Sequence, residues 1–467
     1  MIRGKSSPPS PKSTSGSPII SCGRAPMLRA SDPLGAFVCA KDDAAVVPLL
    51  LVHFNIVLYA LGYWVTQPVL PFLSKKLGAD AIVFGQLQTV FSVVQLVGNP
   101  VIGRICDVHG AKVALQMCQL ATGLSYTLLG VSSDIPQLFL SRLPTVLMQS
   151  MHCAQAFVAD LSPEHSRSAA LGRLSLSYGA GMATGPLLGG LLSETFGYQG
   201  TALSAGGIML LPILVNWRLL PKTTKGMTKS GGEGSLKLRE CLNVMAIPAC
   251  RTLTIFMMLT GLSGSIYQST FSMAAESSFG MDAKQLGFVQ TFSAVSGLVA
   301  NTLLVGMLDK FVSQTANVSG AVVLITLAML AYTQVNSATH VMLIVAVMAV
   351  PSASMYTTLT SMLTKAASAD NTATVIGLGH AARSAVGILG PSIGGYVLAN
   401  YGTKGVGCSC AVVLASALMF LQVFKGTLGV APAPPASGLK QKDGGKMLSP
   451  RSKRSRGGAR SGEDKGL

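Results

Sequence analysis

Twelve apolar runs, each near the length a helix needs to cross a bilayer, follow one another along this chain of 467 residues. They fall at about residues 46 to 69, 82 to 103, 112 to 132, 135 to 159, 168 to 192, 199 to 220, 250 to 274, 285 to 308, 317 to 335, 339 to 363, 374 to 398 and 405 to 425. Because lipid offers the backbone no hydrogen-bond partner, such runs must be helices. Composition agrees: 11% of residues are charged, against about 25% in soluble domains, and mean hydropathy is +0.51. The expected fold class is an all-α integral membrane protein with twelve transmembrane helices.

The formal charge of +17 does not point to nucleic acid, because about half of it sits in the two tails. Residues 1 to 44 and 427 to 467 are rich in Ser, Pro and Gly and are expected to be disordered. The basic run Arg451 to Arg456 reads as part of a solvated tail, with a localisation signal or anionic-lipid binding as alternatives. The polar, proline-rich start gives no sign of a cleaved signal peptide. Nine cysteines at irregular spacing suggest neither a disulfide framework nor a zinc site. No phosphate-cradling glycine loop, paired-histidine metal motif or nucleophile elbow is present, so neither an enzyme nor a cofactor is expected.

Lys and Arg set the expected orientation. Arg104, Lys112, Arg167, Arg173, Lys310, Lys365 and the basic loop between spans six and seven lie on one side; Lys75, Lys76, Lys284 and Lys404 lie on the other. The richer side is expected to be cytosolic, and with an even number of spans both termini join it.

The chain also repeats. Gly185, Pro186, Gly189, Gly190, Gly197 and Gly200 reappear 205 residues later as Gly390, Pro391, Gly394, Gly395, Gly402 and Gly405. Gly85, Gln88, Thr89, Val93, Leu96, Val97, Asn99 and Asp107 reappear 202 residues later as Gly287, Gln290, Thr291, Val295, Leu298, Val299, Asn301 and Asp309. Residues 45 to 220 and 250 to 426 are therefore expected to be parallel six-helix pseudo-repeats, joined by a basic linker at 221 to 249.

Three motifs carry a family resemblance. Gly103, Asp107, Gly110 and Lys112 resemble the loop signature of the major facilitator superfamily, with Val108 where a basic residue is usual, and Asp309-Lys310 resembles its degenerate second copy. Gly181, Gly185, Pro186, Gly189 and Gly190 fit every fixed position of Gly-x-x-x-Gly-Pro-x-x-Gly-Gly, the signature of its drug/proton antiporter branches. Resemblance extends to solute carrier family 22, although the loop after span one is short and lacks that family's large glycosylated domain. The resemblance implies the major facilitator fold. It also implies that Asp107 latches one state by meeting a helix N-terminus of the other half.

Candidate pathway residues follow from polar groups in apolar spans. Span one places Asn55, Tyr59, Tyr63 and Gln67 at steps of four, along one helix face. Span four carries Arg142, Thr145, Gln149, His152 and, at its end, Asp160, spaced as on one helix face. Arg142 needs a partner or a cavity, and resemblance to the family's span-four arginine implies proton coupling. The second half offers Ser263, Tyr267, Gln268, Gln290, Tyr356, Thr360, His380 and Arg383. For most of these, interhelical packing is an equal alternative. No Asp or Glu lies deep in any span.

The resemblance implies a monomeric secondary transporter exchanging protons for small amphipathic organic solutes, organic cations or drugs, in the plasma membrane, apical or otherwise, or an intracellular one. The alternatives are a non-transporting membrane scaffold and a proton-independent uniporter of neutral or anionic lipophilic solutes.

Overall fold

Each apolar run closes its own backbone bonds as a helix. The computed structural model describes residues 37–39, 43–163, 166–220, 244–304, 307–308, 311–335, 337–366 and 372–426. Span one is Asp43–Thr66, span two Ala81–His109 and span three Ala111–Val131. Spans five and six run through one helical stretch, Arg167–Ile208, which turns at Gly197 (φ 69°, ψ 178°) and is completed by Leu210–Leu219. In the second half, span seven is Pro248–Phe279, span eight Ala283–Val299 with a wider π turn at Ala300–Leu304, span nine Gln314–Tyr332 and span ten Ala338–Lys365. Spans eleven and twelve share Thr372–Phe424, which turns at Gly402 (φ 62°, ψ −163°). Both turns need a backbone that side-chain-bearing residues rarely adopt, hence glycine.

Span four departs from the expected continuous helix. It is a short helix, Ile135–Leu140, a tight 3-10 turn, Leu143–Leu147, and a second helix, Ser150–Leu161. Pro144 has no N–H to give the ladder, and Met148 and Gln149 leave helical geometry at ψ 58° and 39°. The 3-and-4 spacing therefore does not align Arg142 with Gln149, His152 and Asp160 on one face.

The duplication extends to the backbone. Asp80 caps span two by accepting from Val83 N, and Asp282, 202 residues on, caps span eight by accepting from Gln285 N. Positive φ occurs at Gly78 and Gly280 before these caps.

The halves join along two glycine crossings that use both repeated motifs at once. Gly85 of span two lies against the Pro391 carbonyl and Gly395 of span eleven; Gly287 of span eight lies against the Pro186 carbonyl and Gly190 of span five. No Cβ fits at either glycine. Proline strains the helical ladder around it, and the matched threonines satisfy it from across the seam. Thr291 Oγ1 accepts the Leu187 N–H at 3.1 Å, just after Pro186, while Thr89 Oγ1 donates to the Ile388 carbonyl at 3.0 Å, one turn before Pro391. Another row of glycines serves packing inside each half: Gly181, Gly185 and Gly189 abut span one at Ala60, Trp64 and Val65, and Gly390 and Gly394 abut span seven at Ser265 and Ile266. At the same end, Lys75 pairs with Glu276 (2.5 Å) and Lys284 with Glu194 (3.2 Å), both across the halves.

Inside the first half, three amides close a ring between spans one, three and six. Asn55 donates to Asn216 (2.7 Å), Asn216 to Gln119 (2.8 Å) and Gln119 to Asn55 (3.0 Å). Their exposures are 1%, 0% and 0%, so no water replaces a missing member. In the second half Asn317 bonds Ser354 and Thr358, tying span nine to span ten.

Asn55→Ala is expected to lower stability by about 1–3 kcal/mol for each amide end left unpaired, read as a lower thermal midpoint in detergent. Replacing all three ring amides by Leu or Met should recover part of the loss. Gly287→Val should separate spans five and eight and cost about 1–3 kcal/mol; an unchanged midpoint would show that the seam tolerates side chains.

Candidate functional site

The break in span four frees backbone groups, and neighbouring spans take them up. Ser125 Oγ donates to the Ser141 carbonyl (2.7 Å) and Tyr59 OH to the Met148 carbonyl (3.2 Å), while the Gln149 side chain ties the segment to span two by donating to Gln95 Oε1 (2.8 Å). Gly98 of span two has no room for a Cβ because the Val146 carbonyl occupies that space. Spans one, two and three thus hold the unwound segment in place, and with it Arg142 at its start.

Arg142 is 5% exposed. The Phe91 ring covers one face of its guanidinium, 5.8 Å from the ring centroid. Nε and Nη2 have no protein partner, and the buried Tyr126 hydroxyl nearby faces the Thr66 side chain. Arg142 and Tyr126, with Tyr63, Gln67, Gln88 and Phe91, line a cavity of about 10 Å³, room for about one water. Tyr63 stacks on Phe91 (6.3 Å) and meets Trp64 edge-on (5.4 Å).

The span-one stripe divides by depth. Asn55 belongs to the amide ring, Tyr59 supports the break, and Tyr63 and Gln67 line the cavity. His152 lies beyond the break with its side chain exposed. In the second half, the Arg383 guanidinium stacks over Tyr356 at 5.0 Å and bonds His380 Nδ1 at 3.3 Å, with Nη1 unpartnered. His380 lies within electrostatic reach of His152 across the halves. Tyr267 belongs to an aromatic cluster with Phe271 (5.4 Å) and Tyr332 (5.6 Å), and Gln268 is exposed. Gln290 donates to Ser272 (3.1 Å) and keeps a buried, unpartnered Oε1.

At the opposite end of the bundle, Gly110 (φ 83°) joins spans two and three, Lys112 donates to the Leu220 carbonyl, and Asp107 is half-buried. Gly103 has open space around it, and Asp160 is exposed in the last turn of span four. Asp309-Lys310, most of the expected linker and both tails except Phe37–Cys39 and Asp43 lie outside the described residues. Among the described residues no cluster of His, Cys, Asp or Glu has the arrangement to hold a metal.

Sequence reasoning did not single out Gln119, Asn216, Phe91 or Tyr126. Gln119 and Asn216 had a signal, each an amide inside an apolar run. Phe91 and Tyr126 had none, since an aromatic residue in a span is most often packing.

A family model described as Major Facilitator Superfamily matches residues 52–252 and again residues 253–457. Solute carrier family 22 member 18 of Mus musculus is 32% identical over 345 residues, covering 72% of this chain and 85% of that protein. Multidrug resistance protein 1 of Bacillus subtilis is 23% identical over 353 residues, covering 75% and 89%. The crystal structure of a bacterial homolog to the human lysosomal transporter Spinster, inward-facing and occupied, superposes with a TM-score of 0.63 at 16% identity, over 85% of this chain and 97% of that one. The chain is therefore a multi-pass membrane transporter belonging to the Major Facilitator Superfamily.

Proposed function

We propose that this transporter works by alternating access, exchanging protons for a small amphipathic organic solute. The observation that carries the reading is Arg142, buried beside an unwound stretch of membrane helix with two N–H groups facing a cavity. A guanidinium in the membrane is costly unless it meets a partner in some state of the cycle. Broken helices in transporters are where substrate and coupling ions bind. The similarity to Multidrug resistance protein 1 supports a drug-like solute.

Orientation follows from the Lys and Arg distribution: the loop carrying Gly110 faces the cytosol, as do both tails. The glycine crossings and the two interhalf ion pairs then close the outward path, so this conformation is closed outside. Each half keeps its shape while the seam opens. Among the described residues every carboxylate lies at a span end: Asp43, Asp80, Asp107, Asp134, Asp160, Glu194, Glu276 and Asp282. Proton carriage therefore falls to His152 and His380, whose imidazoles titrate near pH 6.5 when unperturbed.

Reconstituted into proteoliposomes, the protein is expected to take up substrate against its gradient when a pH gradient is imposed. Arg142→Ala is expected to abolish this uphill uptake. The double variant His152→Gln/His380→Gln should still exchange labelled for unlabelled substrate while losing the response to pH. Flux that ignores the gradient in the wild type would mean uniport, and no substrate-evoked proton flux across a broad compound panel would remove the antiporter reading. Gly185→Leu would drive a side chain into Trp64 Cβ, 2.5 Å from an added Cβ. It should insert in the membrane without a working cycle; normal transport by that variant would remove the motif from gating.

A further inference from the structure

The charge and hydrogen-bond inventory around span four also bears on what the cavity accepts. Nε and Nη2 of Arg142, the two unpartnered nitrogens, lie along one edge of the guanidinium. That edge presents two parallel N–H groups, the fork that fits both oxygens of a carboxylate. The Phe91 ring covers the flat face. Tyr126, 1% exposed with its hydroxyl against the Thr66 side chain, lines the same cavity, as do Gln67 and Gln88. A buried guanidinium with three of its five donors unused is expensive. Among the described residues no carboxylate is bonded to it, each one sitting at a span end. An ammonium group entering here would instead meet like charge from Arg142.

We infer that this cavity seats the anionic headgroup of the transported solute, a carboxylate held by the Arg142 fork with Tyr126 donating a third hydrogen bond. The inference rests on the transporter reading above and narrows its substrate to organic anions. With room for about one water, the cavity must widen by side-chain movement to admit the headgroup, and it excludes the body of an amphipathic solute. The body is left to lie along the stacked rings of Tyr63 and Phe91, which belong to the cavity lining.

The test compares one scaffold with three headgroups. The full chain in lipid nanodiscs is titrated with naphthylacetate, naphthylacetamide and naphthylmethylamine, and separately with chloride and sulfate, following direct binding and the thermal midpoint. Naphthylacetate is expected to bind saturably and raise the midpoint, while the amide and the amine do not. Arg142→Gln should lower carboxylate affinity roughly 10- to 100-fold, the loss expected when a charged hydrogen-bond partner is removed. Its ligand-free midpoint should match or exceed that of the wild type, since an unpaired buried charge is gone, which separates lost binding from lost folding. Arg142→Lys keeps the charge without the fork and should fall between the two; Tyr126→Phe should weaken binding less than either.

Preferential binding of the amine, undiminished carboxylate binding in Arg142→Gln, or no binding of the carboxylate overturns the inference. Chloride or sulfate reproducing the full shift, with nothing added by naphthylacetate, also overturns it, since the seat would then hold a free inorganic ion. Proton-driven uptake of the amine in proteoliposomes would remove the organic-anion inference and leave proton-coupled transport standing.

Discussion

In hydrocarbon every backbone N–H and C=O must find its partner inside the protein, and the arrangement of this molecule follows from that constraint. Most of the chain meets it with uninterrupted helices. Span four does not, and carbonyls it releases are taken up by Ser125 and Tyr59 of neighbouring spans, while Gln149 ties the segment to span two. Polar residues that look like a transport pathway in the sequence thus include some whose work is to make an irregular backbone tolerable in lipid. Arg142 stands where it does because the segment that bears it is held from three sides.

The two halves use the same devices with different results. Matched threonines relieve strain beside matched prolines, yet Thr291 does so as an acceptor and Thr89 as a donor. A hydroxyl serves either role, which lets a duplicated sequence tolerate a small shift in register. Span ten remains continuous through Pro351 while span four breaks near Pro144. The first half consequently carries the buried arginine and its cavity, and the second half contributes the more exposed His380 and Arg383 pair.

Much of the architecture was legible in the residues. The apolar runs gave the spans, and the offsets of 202 and 205 gave two halves whose matched glycines prove to be the seam itself. Arg142 stood out as a charge inside a span. The break in span four was not legible, because a proline near a helix start is ordinary; only the Val146 carbonyl resting on Gly98 reveals that the chain unwinds there. The step of four in span one leaves Asn55, Tyr59 and Tyr63 on the helix and Gln67 in the turn after it, and the stripe passes through three surroundings in turn. Asn55 enters a closed amide ring, Tyr59 meets a loosened backbone, and Tyr63 and Gln67 reach the cavity. Periodicity reports which residues share a side of a helix; what that side meets at each depth depends on other spans.

The seam's composition bears on how fast the halves can move. Where side chains interlock, rolling one helix over another requires knobs to leave their holes and rotamers to change, each step adding to the barrier. At Gly85 and Gly287 main chain rests on main chain, and a bare helix surface has no knobs to lift. With no knobs to lift, what ties the seam is its polar contacts: the Thr291–Leu187 and Thr89–Ile388 hydrogen bonds and, at the rim, the Lys75–Glu276 and Lys284–Glu194 pairs. A joint so made can be tight when shut and quick when released.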